Sequence, residues 1–326
     1  MARLYGAGDV RVLDEPAPAE VPAGHRRVRV TAVGLCGSDL HWFAEGGIGD
    51  AVVADPLVLG HEFAGVIEDG PRAGTRVAVD PAIPCGACAR CLEGNPNLCP
   101  TIRFAGHSTQ DGGLRERLVW PEHRLHPLPD SISDAGAAAL EPLGVAIHAF
   151  DLGHARIGST IAVAGCGPIG LFLVQLARAS GATSVLAVEP LAHRRRAAVD
   201  HGADVALTPD EAAAHPGGFD LAFEAGGTDA AVDVAMHLVR PGARVVLAGI
   251  PDDDRTSFPA GLARRKGLSL IMVRRMKDVY PRAIALVQRG LVDVESLVTA
   301  RYPLERADEA FAAAVKREGL KTVVEI

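Results

Sequence analysis

The sequence predicts an α/β protein that combines a β-rich part with a doubly wound parallel sheet, and three observations carry that prediction. Up to about residue 145, short apolar stretches are punctuated by Gly and Pro, as strands joined by tight turns would be. From about Ile157, strand-like and helix-like stretches alternate, the pattern of a parallel sheet covered by helices. Between the first such strand and the first such helix stands Gly165-Cys-Gly167-Pro168-Ile169-Gly170, spaced G-x-G-x-x-G.

The elements follow in chain order. Arg27 to Val33 alternates apolar and polar residues, as a half-buried strand does, and Pro56 to Gly60 leads into His61-Glu62. Thr75 to Val79 reads as another strand. The turn before it, Val66 to Gly74, is short and lies away from the motifs discussed below. In the second half, strands are expected at Thr160–Ala164, Ser184–Val188, Asp204–Ala206, Phe219–Phe223, Arg244–Ala248 and Leu268–Val273. Helices are expected at Pro168–Ser180, ending at Gly181, at Leu191–His201, ending at Gly202, and at Thr228–Val239 before Pro241. Pro at a helix start and Gly just past its end are the ordinary punctuation. A helix at Val279–Arg289 and a helix–strand segment from Ala307 to Ile326 close the chain.

Composition narrows the class. Apolar residues make up 48%, charged residues 22%, with 36 Gly and 22 Pro, which fits a globular protein with many loops and excludes disordered, collagenous and coiled-coil chains. A net charge of −7 argues against nucleic acid, since phosphate binding needs a cationic face. No apolar run approaches the roughly 20 residues of a membrane span. The start, Met1-Ala2-Arg3-Leu4-Tyr5-Gly6, lacks the apolar segment of a secretory signal, so a cytoplasmic protein is expected.

Four of the six cysteines fall in one stretch, Cys85-x2-Cys88-x2-Cys91-x7-Cys99. C-x2-C turns bring two thiolates to one ion without strain, and Gly86, Ala87, Gly94, Asn95 and Pro96 suit a loop wrapped around it. Four protein ligands leave no open position, so a structural zinc is expected; free or redox cysteines are the alternative. Cys36 and Cys166 stand apart, and either alone reads as a small buried apolar residue.

The fingerprint Gly165, Gly167, Pro168, Ile169 and Gly170 predicts a dinucleotide site. Its glycines permit a tight turn, admit a pyrophosphate to the backbone and let helix and strand pack closely. The following strand leads to Glu189, 19 residues past Gly170, where an acid would bind the adenosine ribose hydroxyls. A carboxylate there would repel a 2′-phosphate, which favours NAD. Arg194, Arg195 and Arg196 could instead bind that phosphate, so NADP stays open; their other reading is the solvated face of a helix. Cys166 fills space in the turn.

Taken together, Gly34-Leu-Cys36-Gly-Ser38-Asp39-Leu-His41, Gly60-His61-Glu62, the cysteine lobe 85–99, Glu141-Pro-Leu143, the fingerprint, Ala263-Arg-Arg-Lys-Gly-Leu and Tyr280-Pro-Arg-Ala-Ile span nearly the whole chain in order. In this combination the chain resembles the zinc-dependent medium-chain dehydrogenase/reductase family, and within it the polyol branch of sorbitol, xylitol and L-iditol dehydrogenases. The resemblance implies a GroES-like catalytic domain from residues 1–147 and 274–326, with a Rossmann domain at 148–273. It also implies two zinc ions per chain, one catalytic and one structural, and a homodimer or homotetramer.

By the same resemblance Cys36 and His61 ligate the catalytic zinc, with Glu62 a third or alternating ligand. Glu141 stands where ordinary alcohol dehydrogenases carry a second cysteine, and would bind the metal directly or through water. Asp39 would orient His61. Ser38 would take the proton of the alcohol and His41 pass it to solvent by way of the nicotinamide ribose. Trp42 and Phe104 match aromatic positions of the polyol pocket, and Arg275 matches an arginine that contacts substrate hydroxyls. The other reading is core for Trp42 and Phe104 and a surface role for Arg275. Met276 replaces the tyrosine usual beside that arginine, and Gly226-Gly227 replaces a Ser-Gly pair, a change the sequence does not explain. The expected activity is hydride transfer between a polyol's secondary alcohol and NAD. Oxidation of a cyclitol or amino-alcohol, of inosamine or threonine type, is the alternative. A non-catalytic dinucleotide-binding redox sensor is more remote, because such a protein would be expected to have lost part of the set Cys36, Ser38, His41, His61 and Glu141.

Overall fold

The computed structural model describes residues 1–49, 51–107 and 110–326. After a small N-terminal hairpin come β1 (His25–Gly34), α1 (Gly37–Glu45), β2 (Glu62–Ile67), β3 (Arg76–Val79), β4 (Arg117–Pro121), β5 (Leu125–Pro127) and α2 (Leu140–Gly153). Strand–helix alternation follows: β6 (Thr160–Ala164), α3 (Pro168–Ala179), β7 (Ser184–Val188), α4 (Ala192–Asp200), β8 (Val205–Leu207), β9 (Phe219–Glu224), α5 (Asp229–Leu238), β10 (Val239–Leu247), α6 (Ala260–Lys266) and β11 (Ser269–Met272). The chain ends with α7 (Tyr280–Gln288), β12 (Val298–Pro303), α8 (Ala307–Val315) and β13 (Lys321–Glu325). Two compact units result, one from Met1–Pro142, Lys277–Arg289 and Asp293–Ile326, the other from Leu143–Met276 and Gly290–Val292.

The first unit is organised by a seven-stranded sheet, ordered β5-β3-β2-β1-β13-β12, with β4 pairing the first half of β1. Along β1, Val28, Val30 and Val33 enter one apolar cluster while Ala32, past a register shift at Thr31, packs into another. The core gathers Trp42, Phe63, Trp120 and Phe311, each fully buried and each contributing about 1.5–3 kcal/mol by leaving water. Two of its contacts matter for function. Trp42 sits in that core, and Phe43 stacks on Phe311 of α8 with ring centroids 5.1 Å apart, so α1 is pinned from below.

In the second unit all six strands are parallel, ordered β8-β7-β6-β9-β10-β11. Counted from β6, this is the 3-2-1-4-5-6 order of a doubly wound fold, with the order reversing between β6 and β9. Leu171 to Ala177 of α3 are all buried, so that helix is held between apolar layers. β10 begins earlier than expected. It takes over directly from α5 at Val239, and Arg240 to Ala243 form a bulge between the pairings Phe219↔Val239 and Leu221↔Arg244. Pro241 thus sits in an irregular stretch, where its missing N–H costs no ladder bond. No helix among the described residues is long and apolar enough to cross a membrane.

Candidate active site

The first cluster forms where β1 and β2 bring two loops together. Cys36 caps α1 in an extended conformation, and its N–H donates to Asp39 Oδ2 at 3.0 Å. The other oxygen of Asp39 accepts from Gly60 N at 3.3 Å and lies 3.4 Å from His61 Nδ1. Asp39 is therefore a buried staple between the Cys36 loop and the His61 loop, and it fixes which ring nitrogen of His61 carries the proton. Burial would raise its pKa, but His61 and the two backbone N–H groups outweigh that and lower it. For His61, burial opposes the charged form, yet Asp39 and Cys36 hold its pKa well above the ordinary histidine range.

Donor atoms of Cys36, His61 and Glu62 all lie within 4.8 Å of one another. Glu62 is completely buried, and its Oε1 has no hydrogen-bond partner among the described residues. A soft thiolate, an imidazole and an unpartnered carboxylate oxygen make a donor set that suits zinc. Glu62 Oε2 is ion-paired with Lys321 at the start of β13, whose Nζ also donates to Leu35 O at 2.9 Å. Glu141, in the first turn of α2, is buried but stands outside the 4.8 Å group. Its carboxyl is pushed up to about 7 by burial, with His61 and Lys321 pulling down and Glu62 and Asp80 pushing up.

Ser38 and His41 sit three apart on α1 and so share a face of that helix. His41 Nδ1 lies 3.1 Å from Glu45 Oε1. Phe104 packs its ring 5.3 Å from that of His61, which places it against the metal cluster. Trp42, 2% exposed, belongs to the core and meets His107 edge-on at 5.7 Å. Arg275 belongs to the second unit, where it holds a left-handed φ of 52°, a strained conformation for a residue with a Cβ.

The second cluster is the cysteine lobe, whose four sulfurs also lie within 4.8 Å of one another. Cys88 N donates to Cys85 Sγ at 3.3 Å, and Cys85 N to Cys99 Sγ at 3.3 Å. The N–H groups of Ala87 and Cys88 pull the Cys85 thiol down to about 6, so the loop is already arranged to hold a thiolate. None of the four is in a disulfide.

The third is the turn from β6 into α3. Gly165 has φ 95°, and a Cβ there would lie 2.5 Å from Gly226 N. A Cβ on Gly170 would collide with Gly165 O, so helix and strand meet more closely than any side chain permits. Glu189 is buried at the end of β7, with its oxygens accepting from Cys166 N at 2.8 Å and Leu191 N at 3.0 Å. Burial and the Glu189 charge push the Cys166 thiol far up, so it stays neutral and acts as filler. Among the three arginines, Arg195 donates to the carbonyls of Glu189 (2.8 Å) and Pro190 (2.6 Å). Arg194 Nη1 comes within 3.9 Å of a Cβ built on Gly167. Arg196 is exposed.

Residues 22–130 match the family described as Alcohol dehydrogenase GroES-like domain, and residues 168–289 match Zinc-binding dehydrogenase. The sorbitol dehydrogenase of Bacillus subtilis is 34% identical over 99% of this chain and 96% of its own length. The chain belongs to the zinc-dependent medium-chain dehydrogenase/reductase family. Among solved structures, L-idonate 5-dehydrogenase of Escherichia coli superposes with a TM-score of 0.93 at 28% identity, covering all of this chain and 97% of that one. A protein of Sinorhizobium meliloti 1021 described as a zinc-binding dehydrogenase, bound to NADP, gives 0.91 at 29%, covering 100% and 98%.

For a zinc-dependent dehydrogenase, the described residues supply both donor sets and a glycine cradle for a dinucleotide. One participant escaped the sequence reading. Lys321 stands in Lys321-Thr-Val-Val-Glu325, a strand whose first residue is buried, and a lysine in an inward register is the only signal the sequence offered.

Proposed function

We propose that this chain is a zinc- and NAD-dependent polyol dehydrogenase, oxidising a secondary alcohol of a sorbitol- or xylitol-like substrate and, in reverse, reducing the ketose. The observation that carries the reading is the Cys36–His61–Glu62 cluster, its His61 and Glu62 buried and one carboxylate oxygen unpartnered among the described residues, on the same chain as a fingerprint turn that depends on its glycines. Relatives named for sorbitol and L-idonate favour a polyhydroxylated substrate.

In this reading Cys36, His61 and Glu62 hold the catalytic zinc, with Glu141 completing the site through a water or after a small movement. The four lobe cysteines hold a structural zinc. When bound, zinc supplies the Lewis acidity that makes an alcohol hydroxyl readily lose its proton. Ser38 Oγ accepts that proton as its own hydroxyl proton moves on, and His41 takes the relayed proton at Nε2 while Glu45 accepts from its Nδ1–H. Asp39 keeps His61 in the tautomer that presents Nε2. Phe104, with Trp42 and His107 behind, forms an apolar wall, and Arg275 addresses a substrate hydroxyl. Gly165, Gly167, Pro168, Ile169 and Gly170 cradle the pyrophosphate, Glu189 takes the ribose hydroxyls and disfavours NADP, and Arg194 lies along the phosphates. With this reading go a two-domain division at about 147 and 274, a homodimer or homotetramer and a cytoplasmic location.

The test is NADH formation by the zinc-loaded protein across alditols, cyclitols, threonine and simple alcohols, with NADP⁺ in parallel. Turnover confined to alditols with NAD⁺ is expected. Turnover only on cyclitols or amino-alcohols would overturn the substrate, and none on any of them would overturn the activity.

A further inference from the structure

Glu224 ends β9 and is 1% exposed, and its carboxylate is held by backbone N–H groups. Its Oε1 accepts from Gly226 N at 2.7 Å and Gly227 N at 2.6 Å, and its Oε2 accepts from Gly249 N at 3.2 Å. One buried carboxylate thus ties together two separate loops, the one after β9 and the one after β10. Its own carbonyl adds a fourth tie, accepting from Ala248 N at 2.8 Å. This explains the second glycine of the Gly226-Gly227 pair. Gly227 has φ 70°, and a Cβ on it would collide with Ile250 O, while a Cβ on Gly226 would come 3.1 Å from Ala231 Cβ. At 227 only glycine can bring its N–H down onto the carboxylate, whereas a side chain at 226 would ask Ala231 to give by a few tenths of an ångström.

The location gives the arrangement a purpose. β6 and β9 are neighbours at the reversal of strand order, where doubly wound folds bind dinucleotides outside the carboxyl ends of their strands. Ala225 N donates to Ala164 O at 2.8 Å, and Gly165 packs against Gly226, so the Glu224 loops lean directly on the fingerprint turn. Glu189 and the β6–β7 side serve the adenosine half; the loops after β9 and β10 belong to the other mononucleotide half. There Gly226 is exposed, and Ile250 presents an apolar side chain 48% exposed beside Gly249, a surface suited to the face of a flat ring.

We propose that Glu224 is a positioning residue for the nicotinamide half of the dinucleotide, fixing the loops after β9 and β10 against the first fingerprint glycine. The inference rests on the dinucleotide reading but goes beyond it. Glutamine at 224 would offer one oxygen where the N–H groups of Gly226, Gly227 and Gly249 now converge, and would turn an amide donor toward at least one of them.

The experiment titrates the zinc-loaded wild type and E224Q with NADH and with ADP-ribose, which lacks the nicotinamide ring. In E224Q the Kd for NADH is expected to rise about tenfold, the effect of losing one charge-assisted hydrogen bond, with that for ADP-ribose within about twofold of wild type. Should E224Q not fold, G249A perturbs the same staple from the other loop, because its Cβ would collide with Gly227 N and lie 2.8 Å from Glu224 Oε1. The same selective loss of NADH is expected. An unchanged ratio of the two affinities, or an equal loss of both, would overturn the inference. A wild type that binds neither ligand would overturn the dinucleotide reading itself.

Discussion

Ser38 and Lys321 stand at the two ends of the proposed chemistry, the proton and the metal. Ser38 shares the α1 face with His41, and the core contacts of Trp42 and Phe43 keep that face fixed. S38A is expected to lower kcat by roughly 10²–10⁴, the usual size of a general acid–base contribution, with zinc content unchanged. Turnover like that of wild type would remove Ser38 from the relay. Lys321 offsets the charge of Glu62 in a site where neither side chain meets water. Removing one partner of such a pair costs about 3–5 kcal/mol, because the other charge is left buried. K321M should therefore melt well below wild type when chelated and recover part of the loss on zinc addition, since the ion then compensates Glu62. An equal stabilisation by zinc in K321M and wild type would show that Glu62 does not sense the metal.

At the level of elements, β6, the fingerprint turn and α3 were fully legible, because each is specified by residues adjacent in sequence. The strands Thr160–Ala164 and Ser184–Val188 lie where their apolar runs put them. Helix α1 left little trace in the pattern, since Gly37, Ser38 and Asp39 are weak helix formers and its order comes from the Asp39 staple and from α8. The partnerships Glu62–Lys321 and Glu224–Gly249 were not legible, because they join residues 259 and 25 positions apart and no local period marks them. The β5–α7 contact was equally hidden. There His126 stacks on Tyr280 at 4.8 Å, and burial, with Arg124 nearby, pushes its pKa down to about 4. The folded protein binds this proton less readily than the unfolded chain, whose histidine titrates near 6.5. Its contribution to stability is thus present above pH 6.5 and lost as pH falls toward 4. H126F, which keeps the stack and removes the titration, should make the fall of Tm between pH 6.5 and 4 shallower than in wild type. Parallel curves would mean that His126 is protonated in the native state as easily as in the unfolded one.

For the whole molecule, the two donor sets are separate in sequence and should be separable in metal content. Zinc loading requires deprotonated thiols and a neutral His61, so both sites should fill with proton release and empty at low pH. C36S is expected to retain one zinc per chain by atomic absorption, held by the lobe, while C91S should lose the structural ion and with it thermal stability. Two zincs in C36S would place the catalytic ligands elsewhere. The GroES-like and Rossmann halves of the family pattern were legible from motif order alone, whereas Arg275 took its substrate role from the resemblance only.

The measurement that bears most directly on the central claim follows the hydrogen itself. A polyol deuterated at its reacting carbinol carbon would be incubated with NAD⁺ and the zinc-loaded enzyme, and the dinucleotide analysed by mass spectrometry. The account predicts one deuterium in each reduced dinucleotide formed, and no reduced dinucleotide with C36S. Reduced dinucleotide without deuterium, or deuterium transfer undiminished in C36S, would contradict it.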